Sequence, residues 1–239
     1  MSDLDRIVRE LVIANRILAH EDVVDAYGHV SVRHPDHPDR NLLARSVAPE
    51  LVQAGDIVEF TLDGAPAREE RRALYLERFI HGAIYQARPD VMAVVHAHAE
   101  AVLPFTVTRT PLRPPLRQLH GRRGAPVGHR RSIRGHEPAG REHGSGARPG
   151  ARSRRQQRGA DARPRLRRRR ALAHRGGADV RVHARNARAL LAASALGEVK
   201  PLTRGEIDAR NAGYTPDSPE TQRAWQYWAR RAGCGDMLG

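Results

Sequence analysis

The sequence predicts an α/β fold, and three observations predict it. A helical period opens the chain, short strands separated by turn residues follow, and an amphipathic stretch then leads into an apolar run ending in two histidines. Ser2 is placed to cap a helix to about Ala19, because Leu4, Ile7, Val8, Leu11, Ala14 and Leu18 fall on one helical face. Tyr27 to Arg33 reads as a strand after a glycine turn, and the proline-rich stretch His34 to Asp39 as a connector. Asn41 to Arg45 is a short strand, and Pro49 to Gln53 a single helical turn. Asp56 to Leu62 alternates apolar and polar residues, with Asp63-Gly64 as its hairpin signal. Leu74 to Ala87 is an amphipathic helix with Leu76, Phe79, Ile80 and Ile84 on its apolar side, ended by Arg88-Pro-Asp90. Val91 to His98 is the next strand, and Ala99 to Phe105 is helical.

The chemistry concentrates where that strand ends. Successive strand residues alternate faces, so His96 and His98 project the same way. Two neutral imidazoles converging on one point make half of a transition-metal site. Strand-end histidines satisfied by protein neighbours are the plainer reading of the spacing alone. Glu77 and His81, four apart on the preceding helix, share a face. A short turn brings Glu77 near the pair, as an acid/base, a further ligand or a solvated carboxylate.

Composition divides the chain unevenly. Residues 1–110 carry 12 basic and 17 acidic side chains, a net of −5; residues 111–185 carry 22 arginines and 4 acids, a net of +18; residues 186–239 carry 7 and 6, a net of +1. The middle segment has no Phe, Tyr, Trp or Lys and no surviving apolar period, so it cannot bury enough surface to offset its ordering entropy. It is expected to be disordered or degraded. From Asn186 order returns, with a helix from Ala189 to Leu196 and another within Thr215 to Ala232. The single cysteine, Cys234, excludes an intramolecular disulfide. The acidic start without a long apolar run predicts no signal peptide, no membrane span and a cytoplasmic location.

Four stretches together resemble the class II aldolase/adducin family: Tyr27 to Arg33, Asp56 to Phe60, Glu77 to Tyr85, and Arg88 to Ala99 with its His-Ala-His. The resemblance covers about residues 4–113 and about 186–210. It leans toward the branch of pyridine-dicarboxylate decarboxylases, since sugar-phosphate aldolases usually carry Asn where this chain has His29. The resemblance implies one domain over 1–239, a three-layer α/β/α fold around a mainly antiparallel sheet, and a homotetramer. It implies a divalent metal, zinc or manganese, with His96 and His98 as two ligands and Glu77 as the acid/base. The expected activity is carbon–carbon cleavage, retro-aldol or decarboxylation, of a small carbonyl or carboxylate substrate. Gly28, His29 and Ser31 are candidate contacts to an anionic substrate, with Arg45 and Ser46 opposite, against a plainer role in turns and strands. His81 is expected to support the site from beneath.

The family's third histidine normally sits in an Arg-Gly-His-Gly motif, which this chain lacks. With 40 arginines to one lysine, the gene is expected to be GC-rich. Reading Asp161 to Ala173 from the second base of each codon can give Met-Arg-Gly-His-Gly-Phe-Val-Val-Val-Gly-Pro-Ser-Leu, with the histidine spanning the Pro164 codon. The segment of about 114–185 therefore reads as out-of-frame text between shifts near Arg113–Leu116 and Val182–Asn186. The chain as written is expected to be an impaired enzyme. The alternative is a non-catalytic remnant or a basic nucleic-acid-binding protein. Arginines bind phosphates, but the segment has no aromatic platforms for stacked bases.

Overall fold

The computed structural model describes residues 2–112, 172–212 and 218–238. The Arg-Gly-rich segment falls mostly outside them, and with it the expectation of disorder there. Helix α1 spans Asp3–His20. Ser2 caps it through a reciprocal capping box with Asp5, which satisfies two N–H groups the first turn leaves open. Ile7, Leu11, Ala14 and Leu18 are buried, as their spacing predicts.

Strands β1 (His29–Arg33), β2 (Arg40–Ala44), β3 (Ile57–Thr61) and β4 (Ala93–His96) form one antiparallel sheet in the order β3-β2-β1-β4. Short 3-10 turns at Pro49–Leu51 and Ala54–Asp56 join β2 to β3. In the β1–β4 register His29 faces His96 and Ser31 faces Val94. Helices α2 (Arg78–Ala87) and α3 (Leu103–Val107) flank β4. Then come α4 (Leu172–Leu196), α5 (Arg204–Ala212) and α6 (Pro219–Arg231). Among the described residues no helix is long and apolar enough to cross a membrane.

β1 is buried from end to end because both its faces are covered. Val30 and Val32 join Ile7, Leu11, Trp225 and Ala229 in the core that α1 and α6 make with the sheet. Each such fully buried aliphatic side chain contributes roughly 1.5–3 kcal/mol. His29, Ser31 and Arg33 alternate with the valines and meet α2 instead. Arg33 donates to the carbonyls of Tyr85, Arg88, Val91 and Pro38, and its guanidinium lies 4.7 Å from the Tyr85 ring centre. It thereby pins the C-terminal end of α2, where a cation is favoured, to β1. The fold is α/β, with helices on both sides of a mainly antiparallel sheet.

Four elements differ from the sequence reading: α3 lies at Leu103–Val107 rather than Ala99–Phe105, α5 falls where no helix was expected, and α2 and α4 have other starts. α2 begins at Arg78 rather than Leu74, and it buries His81, Gly82 and Tyr85. Leu76, Phe79 and Ile80 are exposed, at 80%, 50% and 47%. The apolar period marks a face turned away from the sheet, because the inward face is chosen by close approach and buried hydrogen bonding. A Cβ on Gly82 would overlap the Leu62 carbonyl, so only glycine lets the helix sit this near. The helix expected from Ala189 starts at Leu172. Alanines and arginines in its added turns favour helix against Gly176 and Gly177, and Ala187 and Leu190 pack with Phe105.

Candidate active site

Four histidines meet where β1 begins and β4 ends. His96 closes β4, His98 lies two residues on, and their Nε2 atoms are 3.0 Å apart with the rings edge-on. That spacing suits two imidazoles sharing one metal at about 2.0–2.1 Å each. The His29 ring stacks on His96 with centroids 4.9 Å apart. Glu77, the residue just before α2, brings Oε2 to 3.9 Å from His29 Nε2. The structure thus places His29, Glu77, His96 and His98 together. Among the described residues, no group of three or more His, Cys, Asp or Glu side chains is arranged to hold a metal. The histidine pair fits two positions of such a site; the motif that would carry the expected third histidine is absent from the sequence.

The electrostatics suit ligation. Burial, then the neighbouring His96, holds the His29 pKa down to about 4, although Glu77 pulls it upward. Burial and His98 likewise lower His96, against Glu77 and Asp25. Neutral imidazoles are the form a metal needs.

Beneath His29 lies a buried polar chain. His29 Nδ1 is 2.9 Å from His81 Nε2, His81 Nδ1 is 2.6 Å from Ser31 Oγ, and Ser31 Oγ is 2.8 Å from the Tyr85 hydroxyl. Ser31 is fully buried and sits under His29, not beside the His96–His98 pair. His29 Nε2 is buried without a hydrogen-bond partner. Over the other edge of His29 lies Tyr75, ring centroids 4.2 Å apart, whose hydroxyl donates to the Val47 carbonyl. Tyr75 links the histidines to the turn carrying Arg45 and Ser46. Arg45 itself pairs with Asp56 at 2.7 Å, and the Ser46 amide donates to the Ala73 carbonyl. Those two residues stand across Tyr75 from the histidine cluster.

Three participants escape the sequence reading. Asp25 accepts from the amides of Tyr27 and Gly28 at 2.9 and 3.0 Å and presents its second oxygen 3.5 Å from His98 Nδ1. Partial burial would raise its pKa, but the Tyr27 amide and His98 hold it below the usual range. A carboxylate at Nδ1 turns Nε2 toward a metal. Its signal is the Asp two residues before Tyr27, an Asx turn. Gly28 is needed because a Cβ there would overlap Val24 and crowd the His96 carbonyl. Tyr75 and Tyr85 are the other two, the latter legible as the residue four after His81.

The family described as Class II Aldolase and Adducin N-terminal domain matches residues 9–149. The decarboxylase tropJ of Talaromyces stipitatus is 46% identical over 109 residues, covering 45% of this chain and 41% of that protein. The 3,4-dihydroxyphthalate decarboxylase of Arthrobacter keyseri is 34% identical over 114 residues, covering 44% and 45%. The chain thus spans less than half the length of each of these two relatives. Among solved structures, the L-fuculose 1-phosphate aldolase of Glaciozyma antarctica superposes with a TM-score of 0.65 at 16% identity, covering 97% of this chain and 92% of that one. An aldolase II superfamily protein from Pseudomonas syringae gives 0.65 at 18% identity, over 99% and 96%. These two likenesses speak for the fold. Sequence match and fold agree, and the chain belongs to the class II aldolase and adducin family.

Proposed function

We propose that this chain is a lyase of the class II aldolase type that cleaves a carbon–carbon bond in a small carboxylate or carbonyl substrate, with decarboxylation favoured over retro-aldol cleavage. The observation that carries this is the convergence of His96 and His98 through Nε2 beside Glu77 and His29. The likeness to proteins named as decarboxylases supports the choice of reaction. His96 and His98 would hold a divalent metal, zinc or manganese, which when bound polarises a substrate oxygen and offsets developing negative charge. Glu77 holds the proton that the carbon receives when carbon dioxide leaves. Asp25 orients His98, and His29 with Tyr75 walls the site and excludes water.

The chain as written lacks the Arg-Gly-His-Gly motif, and we read 114–185 as frame-shifted. Metal affinity and turnover are therefore weakened. The exposed Leu76, Phe79 and Ile80 support assembly with further copies through that face. The second reading, a basic nucleic-acid binder, rests on the +18 charge of residues 111–185; RNA filter binding that weakens steeply with salt would favour it.

The test pairs the gene's nucleotide sequence across codons 110–190 with an assay of carbon dioxide release from 3,4-dihydroxyphthalate and related ring carboxylates. The frame-restored protein releases carbon dioxide, and Glu77→Gln slows it by about 10²–10⁴-fold. A restored protein that binds zinc yet cleaves none of these acids would overturn the reading.

A further inference from the structure

The connector between β1 and β2 is wrapped around one buried ring, His34, which is 5% exposed. Residues 34–39 contain Pro35 and Pro38, which have no N–H, so beyond His34 only Asp36, His37 and Asp39 offer backbone donors. Two of those three, Asp36 and His37, donate to His34 Nδ1, each at 3.1 Å. A backbone amide only donates, so the direction of both bonds is fixed. Nδ1 takes them with its lone pair, and neutral His34 carries its proton on Nε2. Nε2 faces Glu59 Oε1 of β3 at 3.7 Å, beyond bonding distance, and the same oxygen accepts from Arg40 Nη1 of β2 at 3.0 Å. An imidazolium has a proton on both nitrogens and accepts nothing, so turning the ring over brings no acceptor back to the two amides. Protonation of His34 therefore costs the connector both bonds. The connector is also tied onward. The Pro38 carbonyl accepts from Arg33 Nη1, while Arg33 Nε and Nη2 hold the carbonyls of Val91, Tyr85 and Arg88, where α2 ends and the chain turns into β4.

We propose that His34 is an acid-released latch: neutral, it holds the β1–β2 connector closed through Nδ1, and protonated, it frees the connector and, through Pro38 and Arg33, loosens the turn from α2 into β4. The latch lies at the far end of β1 from His29 and stands whatever reaction the histidine cluster performs. The groups around the ring agree on its direction. Burial, with His37 and Arg40, holds His34 below its ordinary 6.5, against the pull of Glu59 and Asp36. The His37 ring is 4.8 Å away, centre to centre. Opening therefore takes up a proton, so the closed connector is fully favoured above about 6.5 and is lost as pH falls.

The test is amide hydrogen exchange on the full chain between about pH 7.5 and 5, with each rate divided by that of an unstructured peptide at the same pH. The Asp36 and His37 amides are expected to lose protection by up to about tenfold per pH unit as pH falls. The Val91 amide, which donates to the Arg88 carbonyl, is expected to follow them, while the paired amides of β2 and β3 stay protected. His34→Asn, whose Oδ1 accepts the same two amides without titrating, is expected to keep the connector closed across the range. His34→Phe, which has no acceptor, is expected to leave it open throughout. Two-bond proton–nitrogen spectra of the parent chain labelled with ¹⁵N-histidine need no folded variant, and His34 is expected to be protonated at Nε2 at neutral pH. A parent His34 protonated at Nδ1, connector protection that ignores pH, or a pH dependence that persists in His34→Asn overturns the latch. Connector opening that leaves Val91 fully protected overturns its link to α2 and β4.

Discussion

His98 Nδ1 lies 3.5 Å from Asp25 Oδ2, while the other oxygen of Asp25 is held by the amides of Tyr27 and Gly28. One carboxylate therefore fixes both the turn before β1 and the tilt of a metal-ligand candidate on the segment after β4. Asp25→Asn keeps the size and the turn but removes the charge that favours Nδ1–H. Zinc affinity is expected to fall by about 10–100-fold with little change in melting temperature, measured by titration and thermal unfolding. Unchanged affinity would dismiss Asp25 as an orienting residue.

Gly28→Ala puts a methyl group against Val24 and the His96 carbonyl. Overpacking of this kind costs about 1–3 kcal/mol. Urea unfolding should show that loss, and zinc affinity should fall with it because the turn carrying Asp25 shifts. A variant as stable as the parent would mean that the turn yields freely.

The buried histidines make stability depend on pH. His29 is held at about 4 when folded against 6.5 when unfolded. Between those values the unfolded chain binds more protons, so stability is full above about 6.5 and is lost as pH falls toward 4. From pH 6.5 to 5 the loss from this one group is about 2 kcal/mol. Urea unfolding of metal-stripped protein should show at least this loss, since burial also lowers His81, and His29→Gln should reduce it by the His29 share. A flat profile in the parent would contradict the burial of a neutral His29.

Much of this was legible in the sequence, and the exceptions have physical causes. α1 announced itself because Ser2 and Asp5 cap it locally and its apolar face meets the core. His96 and His98 were legible because strand alternation is a backbone property. The inward face of α2 was not. It turns His81 and Tyr85 inward and Phe79 and Ile80 outward, with Leu76 exposed just before it, so hydrophobic periodicity pointed the wrong way. Burial there is set by hydrogen bonds between residues about 50 apart in sequence, such as Ser31 to His81 and Tyr85, which no local pattern contains.

That outward apolar face yields its own prediction. Ile80→Asp, 47% exposed in the single chain, should lower the assembly state in sedimentation velocity without loss of helix content. Sedimentation as a monomer by the parent chain would contradict assembly through this face.

The proposed chemistry depends on the His96–His98 pair. Zinc titration of the purified chain, alongside His96→Ala and His98→Ala, tests it most directly. The chain as written is expected to hold one weak zinc site, lost in either variant. Zinc binding that survives both substitutions would contradict it.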